Sequence, residues 1–405
     1  MRSRMHPSYY LSADIFEREQ QKLFRKLWLF AGLKTLLPEN NCFITRKIAG
    51  IPVVIQNFQG ELHAFENVCL HRSAPLQSEP VGRRPLVCQY HAWKYDAAGQ
   101  VSNIPHCDAL YQFSEPQKKS LKLREFALRA VGNLLFVNLS DDPLPLEEQF
   151  SAQFLASLES SSSAYDSEVM VTTWQCRFNW KLVQENLRDN NHVAFLHPRT
   201  LAPFVSFLPV VDPACAAETQ EPLTDISTAG LRQEIRYFSY GGPEGTPSEY
   251  QSLGWHANVE RWRPNTESAD AQVVDGRVHN QPVVGECQQD AYFNWLAFPN
   301  LHIASGNGGN SFVIEHYIPV APDRTDVDIY RFTARKKRPN PASTQILLSE
   351  MHHSRLILGE DFGMLEKVQS ILHSQAPVPT QGIYETTNRL IERWYTTLLE
   401  TEHGL

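Results

Sequence analysis

The chain has 405 residues, of which 42% are apolar and 20% are charged, and its formal net charge is -8. A chain of this length can bury a large core and is expected to form two domains rather than one. Its acidic balance, without a basic stripe, argues against nucleic acid or an anionic membrane as the main partner, and seven dispersed cysteines argue against a disulfide framework.

The N-terminal region predicts a helical segment over residues 1–40 that packs on the second domain. Apolar residues at helical spacing predict a helix from Asp14 to Ala31, with Gly32 as its stop. The sequence contains no run of eighteen apolar residues and no apolar signal core. A cytoplasmic protein is therefore expected.

Residues 41–155 change to the alternating pattern of short strands. Gln59-Gly60 is expected to form a turn, and one strand is expected to end at Cys88. Further strands are predicted at Pro52–Gln56, Leu62–Val68 and Leu134–Asn138. The pattern predicts a small all-β domain of hairpins.

This small domain carries two short loops, each with one cysteine and one histidine. The first is Cys69-Leu70-His71, and the second, after sixteen intervening residues, is Cys88-Gln89-Tyr90-His91. A Rieske [2Fe-2S] cluster needs two thiolates on one iron and two imidazoles on the other, which two such loops can supply. A structural zinc site usually pairs cysteine with cysteine and histidine with histidine. The alternation therefore favours the binuclear cluster, with zinc as the alternative.

A serine-rich segment from Ser157 to Ser163 predicts a surface linker.

Residues 164–405, which follow this segment, are predicted to form a larger domain in which an antiparallel sheet is flanked by helices, so the fold class is α+β. Asp212–Asp290, rich in Pro, Gly and Ser, is interpreted as a lid or channel segment. Strands are predicted at Val169–Arg177, Ala291–Ala297, Ser311–Val320 and Val327–Ala334. The segment Phe178–Leu182 is predicted to begin a helix, and further helices are predicted at Gln345–Leu358, Leu365–Leu372 and Tyr384–Glu400.

The helix after Asn179-Trp180-Lys181 carries a second group of possible ligands. Asp189 and His192 are three residues apart and would project from one helical face. His197 lies about 140° further around a regular helix than His192. However, Pro198 disfavours helical backbone at His197, which is therefore expected just past the helix end, where it can turn back toward His192. Two histidines and a carboxylate from elsewhere would form a non-haem iron(II) site, and structural histidines are the alternative.

Together these motifs resemble the Rieske non-haem iron ring-hydroxylating oxygenases, specifically their catalytic α subunit. The resemblance covers nearly the whole chain, although Asn191 and Gln89-Tyr90-His91-Ala92 depart from the residues commoner in the family. It rests on Cys69-x-His71-Arg72, Cys88-x-x-His91-x-Trp93, Asn179-Trp180-Lys181, Glu185-Asn186-x-x-Asp189-x-x-His192-x4-His197, Phe298-Pro299-Asn300, and Glu360-Asp361 followed by Glu366 and Gln369.

The resemblance implies a role for each ligand position. The cluster ligands would be Cys69, His71, Cys88 and His91, and the mononuclear iron ligands would be His192, His197 and Asp361. Glu360 is the competing carboxylate beside Asp361. Asp189 would bridge His192 to His91 of a neighbouring subunit and so couple the two metal sites. The active protein is therefore expected to be a homotrimer or a multiple of one, with an additional β subunit possible.

The same resemblance implies the terminal oxygenase component of a multicomponent system. Electrons would come from a separate reductase or ferredoxin, since the chain carries no dinucleotide fingerprint and no second cluster motif. Dioxygen would be used to mono- or dioxygenate, or oxidatively demethylate, a small organic substrate. An aromatic acid or amine is expected first, and a betaine- or carnitine-like quaternary ammonium compound second. A Rieske electron-transfer protein without oxygen chemistry is the remaining alternative.

Overall fold

The computed structural model describes residues 2–163, 165, 168–189, 191–202, 230–236, 271–274, 277–280, 291–305, 311–333, 344–374, 376–382 and 385–400. They form two compact units. The β-rich unit runs from Gln20 to Leu146, and the larger unit combines Met1–Glu19 with Glu147–Gly404. Every helix among these residues is too short or too polar to span a lipid bilayer.

The elements are numbered here in chain order. The helices are α1 (Ser8–Leu11), α2 (Ala13–Glu19), α3 (Glu115–Ser120), α4 (Leu146–Gln149), α5 (Ala152–Ser162), α6 (Trp180–Asn186), α7 (Val193–Leu196), α8 (Thr344–Leu372) and α9 (Thr386–Glu400). The strands are β1 (Leu29–Leu33), β2 (Cys42–Ile48), β3 (Ile51–Phe58), β4 (Glu61–Glu66), β5 (Val81–Arg83), β6 (Lys94–Tyr95), β7 (Val101–Asn103), β8 (Glu125–Val131), β9 (Leu134–Asn138), β10 (Met170–Cys176), β11 (Gly230–Arg236), β12 (Ala271–Val274), β13 (Arg277–Asn280), β14 (Ala291–Ala297), β15 (Leu301–Ser305), β16 (Ser311–Ala321) and β17 (Arg324–Thr333).

The β-rich unit is built on a seven-stranded antiparallel sheet in the order β1-β9-β8-β4-β3-β2-β5, with β6 and β7 as a separate hairpin. The predicted Gln59-Gly60 turn is confirmed: both residues have positive φ angles, 57° and 102°, as a tight hairpin turn requires. The Asn57 side chain closes this turn by accepting a hydrogen bond from the Gly60 amide at 2.7 Å. The predicted hairpin domain is thus confirmed.

The predicted helix from Asp14 to Ala31 is wrong in its second half. α2 ends at Glu19, a π-helical turn occupies Gln20–Phe24, and Leu29–Leu33 is strand β1. All five residues of β1 are buried, and β1 pairs with β9. Gly32 does not stop a helix but lies at a bulge in β1 with a φ of 153°, a backbone conformation that favours glycine. Strand pairing and burial have overridden the helical spacing.

The larger unit contains a six-stranded antiparallel sheet in the order β10-β17-β16-β15-β14-β11, and this confirms the predicted sheet. One face of the sheet packs on α5, where the rings of Phe154 and Trp295 lie 6.5 Å apart. The opposite face packs on α8, where Trp174 meets Phe362 at 5.4 Å. The predicted helices Gln345–Leu358 and Leu365–Leu372 are parts of the single helix α8.

The predicted serine linker is wrong, because Ala152–Ser162 forms helix α5. Ser157, Ser161 and Ser162 are buried, and the Ser161 hydroxyl donates to the Leu158 carbonyl at 3.2 Å. Packing of Phe154 in the larger unit stabilises this helix despite the modest helix propensity of serine. The boundaries between the two compact units therefore lie at Glu19/Gln20 and at Leu146/Glu147, whereas the sequence predicted boundaries after residues 40 and 155. The predicted lid, Asp212–Asp290, lies outside the described residues except for β11, β12 and β13.

Candidate metal centres

The two Cys/His loops of the β-rich unit have the same backbone structure. In each, the amide four residues after the cysteine, that of Ser73 or Ala92, donates to the cysteine carbonyl at 2.9 Å. The amides of Cys69 and Cys88 in turn donate to the carbonyl five residues later, at 2.8 and 2.9 Å. Ser73 and Ala92 both adopt left-handed backbone, with φ angles of 56° and 58°. The chain therefore presents two matching loops although their Cys-to-His spacings differ.

The side chains of these loops are arranged with sulfur inside and imidazole outside. Cys69 and Cys88 are 2% and 1% exposed within the apolar core of the unit, whereas His71 and His91 are half-buried with ring centroids 4.4 Å apart. The buried Nδ1 of His71 makes no hydrogen bond. Burial raises the pKa of the Cys69 thiol, so a bound cation is needed to hold this sulfur as a thiolate. Two sulfurs on one side and two imidazoles on the other fit a Rieske cluster.

Neighbouring side chains hold the loops in place. The Tyr95 hydroxyl lies 3.3 Å from the Cys69 sulfur and accepts a hydrogen bond from the Leu70 amide at 3.0 Å. Trp93 stacks on His71 with ring centroids 5.0 Å apart. Arg84 donates to carbonyl oxygens beside both loops, at 2.7 Å to Leu76 and 3.1 Å to Val87. Trp93 belongs to the sequence motif, whereas the roles of Tyr95 and Arg84 were not predicted, because only the ligand types, their spacing and the motif residues carried a signal.

A second centre lies in the larger unit, where His192, His197 and Asp361 converge. Asp361 Oδ1 is 3.4 Å from His192 Nε2 and 3.0 Å from His197 Nε2. Among the described residues, these three form the one group of possible ligands whose donor atoms all lie within 4.8 Å of one another. Two imidazole nitrogens and one carboxylate oxygen could hold one iron(II) and leave other coordination positions open.

The local backbone around the histidines differs in part from the prediction. α6 follows the N-cap Asn179 and runs from Trp180 to Asn186, and the short helix α7 begins only at Val193. Asp189 and His192 therefore do not share one helical face, and this prediction is wrong. His192 Nδ1 lies 3.9 Å from Asp189 Oδ2, longer than a hydrogen bond. His197 lies just past the end of α7, as expected from the proline that follows it.

A further layer of side chains orients the three converging residues. Glu360, the competing carboxylate, lies on the other side of the imidazole, where its Oε2 is 2.7 Å from His197 Nδ1. Glu360 also accepts a hydrogen bond from Thr200 at 2.5 Å. The Asn186 side chain donates to Asp361 Oδ1 at 2.9 Å. The structure thus distinguishes the adjacent carboxylates: Asp361 faces both histidines, and Glu360 supports one of them from behind.

The pKa values of this centre reflect its geometry. Burial alone raises the pKa of the Asp361 carboxyl, but hydrogen bonds and charge from His192 and His197 lower it to about 2. Burial lowers the pKa of His197, but hydrogen bonds and charge from Asp361 and Glu360 raise it overall. Asp361 is therefore an anion at neutral pH and can balance the charge of a bound cation.

The remaining motif residues attach α6 and α8 to the rest of the larger unit. Gln369 Oε1 accepts from the Asn179 amide at 2.9 Å, and Glu366 pairs with Arg177 at 3.0 Å. Lys181 is buried in an ion pair with Glu19, with 2.5 Å between Nζ and Oε1. These contacts explain why residues so far apart in the sequence belong to one motif set.

Comparison with known proteins agrees with this arrangement. Residues 28–114 match the Rieske [2Fe-2S] domain family, and residues 158–401 match the ring hydroxylating alpha subunit (catalytic domain) family. A glycine betaine monooxygenase oxygenase subunit of Pseudomonas aeruginosa is 31% identical over 300 residues, covering 70% of this chain and 64% of that relative. A carnitine monooxygenase oxygenase subunit of Acinetobacter baumannii is 28% identical over 196 residues, covering 47% and 51%.

A solved structure shares the fold over nearly its whole length. It is that of a quaternary ammonium Rieske monooxygenase, with a TM-score of 0.73 and 18% identity, and the match covers 98% of this chain and 96% of that one. The family matches together account for the Cys/His loops in the β-rich unit and for the His192 centre in the larger unit. The chain therefore belongs to the ring hydroxylating alpha subunit family, with a Rieske [2Fe-2S] domain preceding the catalytic domain.

Proposed function

We propose that the protein is the terminal oxygenase component of a Rieske oxygenase system that uses dioxygen to oxidise a small organic substrate. The convergence of His192, His197 and Asp361 carries this proposal, because a Rieske electron-transfer protein would not need a second metal centre. The matches to both domains in one chain support it.

Each centre has a defined set of residues in this proposal. Cys69, His71, Cys88 and His91 bind the [2Fe-2S] cluster, and His192, His197 and Asp361 bind a single iron. When bound, the cluster supplies single electrons and the iron supplies the oxidising chemistry. The protein holds Asp361 ionised and fixes the ring of His197 through Glu360. A separate reductase or ferredoxin provides the electrons.

Asp189 is assigned to the connection between the two centres. Its Oδ1 accepts a hydrogen bond from the Asn191 amide at 2.9 Å, and its Oδ2 points to within 3.9 Å of His192 Nδ1. We propose that this carboxylate also accepts a hydrogen bond from His91 of another copy of the chain. Such a bridge requires subunits that close into a ring, and a homotrimer is the simplest ring that this arrangement suggests.

The similarity to glycine betaine and carnitine monooxygenases favours a small quaternary ammonium substrate, the second choice from the sequence. This choice replaces the aromatic acid or amine that was expected first. Insertion of one oxygen atom into a C–H bond, at the N-methyl carbon or elsewhere, is the proposed reaction class.

Metal analysis and oxygen uptake test this function. Purified protein should contain acid-labile sulfide, cluster iron and one additional iron per chain, and it should consume oxygen in the presence of substrate and a surrogate reductase. The His192→Ala variant should lose the additional iron and the oxygen uptake but keep the visible spectrum of the cluster. A protein with cluster iron alone would be an electron carrier, and a protein with zinc alone would overturn both assignments.

A further inference from the structure

A second group of polar side chains is buried in the larger unit beside the iron-binding residues. It consists of His302 on β15 and Glu315 and Tyr317 on β16, which are 1%, 3% and 0% exposed. His302 and Glu315 are direct partners in the β15–β16 register, and Tyr317 follows two residues later on the same face of the sheet. These three residues form the sheet cluster.

The sheet cluster faces the elements that carry the iron-binding residues. In the sheet register, Tyr317 on β16 pairs with Val327 on β17, and Val327 pairs in turn with Trp174 on β10. Trp174 packs on Phe362 of α8, the residue after Asp361. The charge of Asp361 is among the causes that raise the pKa of Tyr317. The charge of Arg188, the residue before Asp189, acts on both His302 and Tyr317. The cluster is therefore bordered by α8 and by the turn that leads to His192.

The hydrogen bonds of the cluster leave it incomplete. The Tyr317 hydroxyl donates to Glu315 Oε2. His302 Nδ1 lies 3.4 Å from Glu315 Oε1, and neither ring nitrogen of His302 makes a hydrogen bond. Glu315 approaches the buried imidazole at 3.4 Å without completing a hydrogen bond, and this is costly because burial removes water without replacing the lost hydrogen bonds. Such a group in a protein interior is expected where a ligand completes the contacts.

The charges in and around the cluster favour a cation. Burial and the nearby Glu315 raise the pKa of Tyr317, and burial lowers the pKa of His302, so both rings are uncharged at neutral pH. The Glu315 carboxylate is thus the one acid among the three members. Arg188 adds a positive charge at the border of the cluster.

The distribution of charge along the chain points in the same direction. The β-rich unit has 15 Lys and Arg and 10 Asp and Glu, so its formal charge is +5. Since the whole chain carries -8, the remaining residues, those of the larger unit, carry -13. A strongly negative unit attracts cations and repels anions over several ångströms.

We infer that Glu315, supported by Tyr317 and His302, is the subsite that binds the positively charged nitrogen of a small ammonium substrate beside the iron-binding residues. The inference rests on the proposed function and adds to it a residue that determines specificity. Glu315 supplies the counter-charge, and the Tyr317 hydroxyl fixes the orientation of the carboxylate. A neutral substrate of the same shape would leave Glu315 buried without a counter-charge and would bind weakly.

Binding of a matched pair of compounds to the purified holoprotein tests the inference. Glycine betaine and 3,3-dimethylbutanoate have the same shape and carboxylate, but the first has a cationic nitrogen where the second has a neutral carbon. Isothermal titration should show that wild-type protein binds glycine betaine at least tenfold more tightly. Equal affinities, or no binding of glycine betaine, would overturn the inference without any variant.

Substitutions then assign the discrimination to Glu315. Glu315→Gln should lower the affinity for glycine betaine at least tenfold and leave that for 3,3-dimethylbutanoate unchanged. Glu350→Gln is the matched control, since Glu350 pairs with Arg331 on the same side of the sheet but does not belong to the cluster. It should keep the wild-type preference. An unchanged preference in folded Glu315→Gln protein, judged by near-ultraviolet circular dichroism, would exclude Glu315 as the subsite.

The outcomes for the subsite and for the proposed function can be separated. Substrate-dependent oxygen uptake without discrimination between the two compounds would retain the oxygenase and reject the cation subsite. Discrimination in a protein that lacks the additional iron and oxygen uptake would retain the subsite and reject the oxygenase.

Discussion

The imidazole of His197 is held between two acids that are adjacent in sequence. Its Nε2 lies 3.0 Å from Asp361 Oδ1, and its Nδ1 lies 2.7 Å from Glu360 Oε2. A carboxylate that accepts a hydrogen bond from one ring nitrogen fixes the tautomer, so that the other nitrogen can bind a metal. Adjacent residues of α8 therefore perform different tasks because their side chains approach opposite edges of one ring.

Loss of this support should weaken iron binding. In Glu360→Gln protein, the amide is a poorer acceptor for the His197 ring, and we expect iron affinity to fall about 10- to 100-fold. Iron content after dialysis against a chelator measures this loss. Glu366→Gln, on the same helix but paired with Arg177, is the control and should retain iron. Equal retention by both variants would contradict the role of Glu360.

Iron binding should weaken as the pH falls. A proton on His197 competes with the metal, and the pKa of this imidazole is raised above its ordinary value of about 6.5. Affinity should therefore decline as the pH falls through this raised pKa. Asp361, with a pKa of about 2, stays ionised over this range. Anaerobic titrations with iron(II) between pH 6 and 8 measure the trend, and constant affinity would contradict it.

The hydrogen bond between Tyr95 and the Cys69 sulfur should raise the reduction potential of the bound cluster. Donation to sulfur stabilises the reduced, more negative state. Loss of one hydrogen bond of about 0.5–1.5 kcal/mol in Tyr95→Phe corresponds to a potential lower by about 20–65 mV for a one-electron couple. Protein-film voltammetry measures the shift. A potential equal to that of wild type would show that this contact does not affect the cluster.

Asp189→Asn should separate metal binding from turnover. The amide keeps the size of the side chain but loses the charge that faces His192, at 3.9 Å between Oδ2 and Nδ1. We expect both metal centres to remain loaded and oxygen uptake to slow at least tenfold, because the proposed bridge between subunits is lost. Metal analysis and oxygen electrode measurements on the same sample check this. Normal turnover would argue against the bridge.

Glu185 should make the stability of the protein depend on pH. Burial raises its pKa to about 8, although the Tyr10 hydroxyl donates to it at 2.5 Å. In the unfolded chain the carboxyl ionises near pH 4.5, so the folded state holds a proton that the unfolded state releases between these values. Stability from this group is complete below pH 4.5 and is lost as the pH rises to about 8.

The Glu185→Gln variant isolates this effect. Glutamine keeps an acceptor for Tyr10 and cannot ionise, so its melting temperature should fall less than that of wild type between pH 5.5 and pH 8.5. Each unit of pKa difference is worth about 1.4 kcal/mol, so the difference should reach a few kcal/mol. Thermal unfolding at both pH values measures it, and parallel curves would show that Glu185 is ionised in the folded protein.

Several features followed from the sequence because they depend on local chemistry. The spacing of cysteine and histidine residues indicated the [2Fe-2S] loops. The Gln59-Gly60 pair indicated a hairpin turn, and Pro198 indicated that His197 lies beyond the end of a helix. Strand β9 has the predicted bounds, Leu134–Asn138. Each of these signals is contained within a few residues, so no distant partner was needed to read it.

Other features depended on partners far along the chain. Leu29–Leu33 has helical spacing but forms a strand because β9 lies beside it, and the serines of α5 are helical because Phe154 packs on the sheet. The sequence motif favoured Asp361 over the adjacent Glu360 as the iron ligand, but the role of Glu360 emerged only from the position of α8 relative to His197. The sheet cluster had no signal in the sequence, since strand register alone brings His302 to Glu315. Spacing fixes which residue types are available, and tertiary packing decides which of their atoms meet.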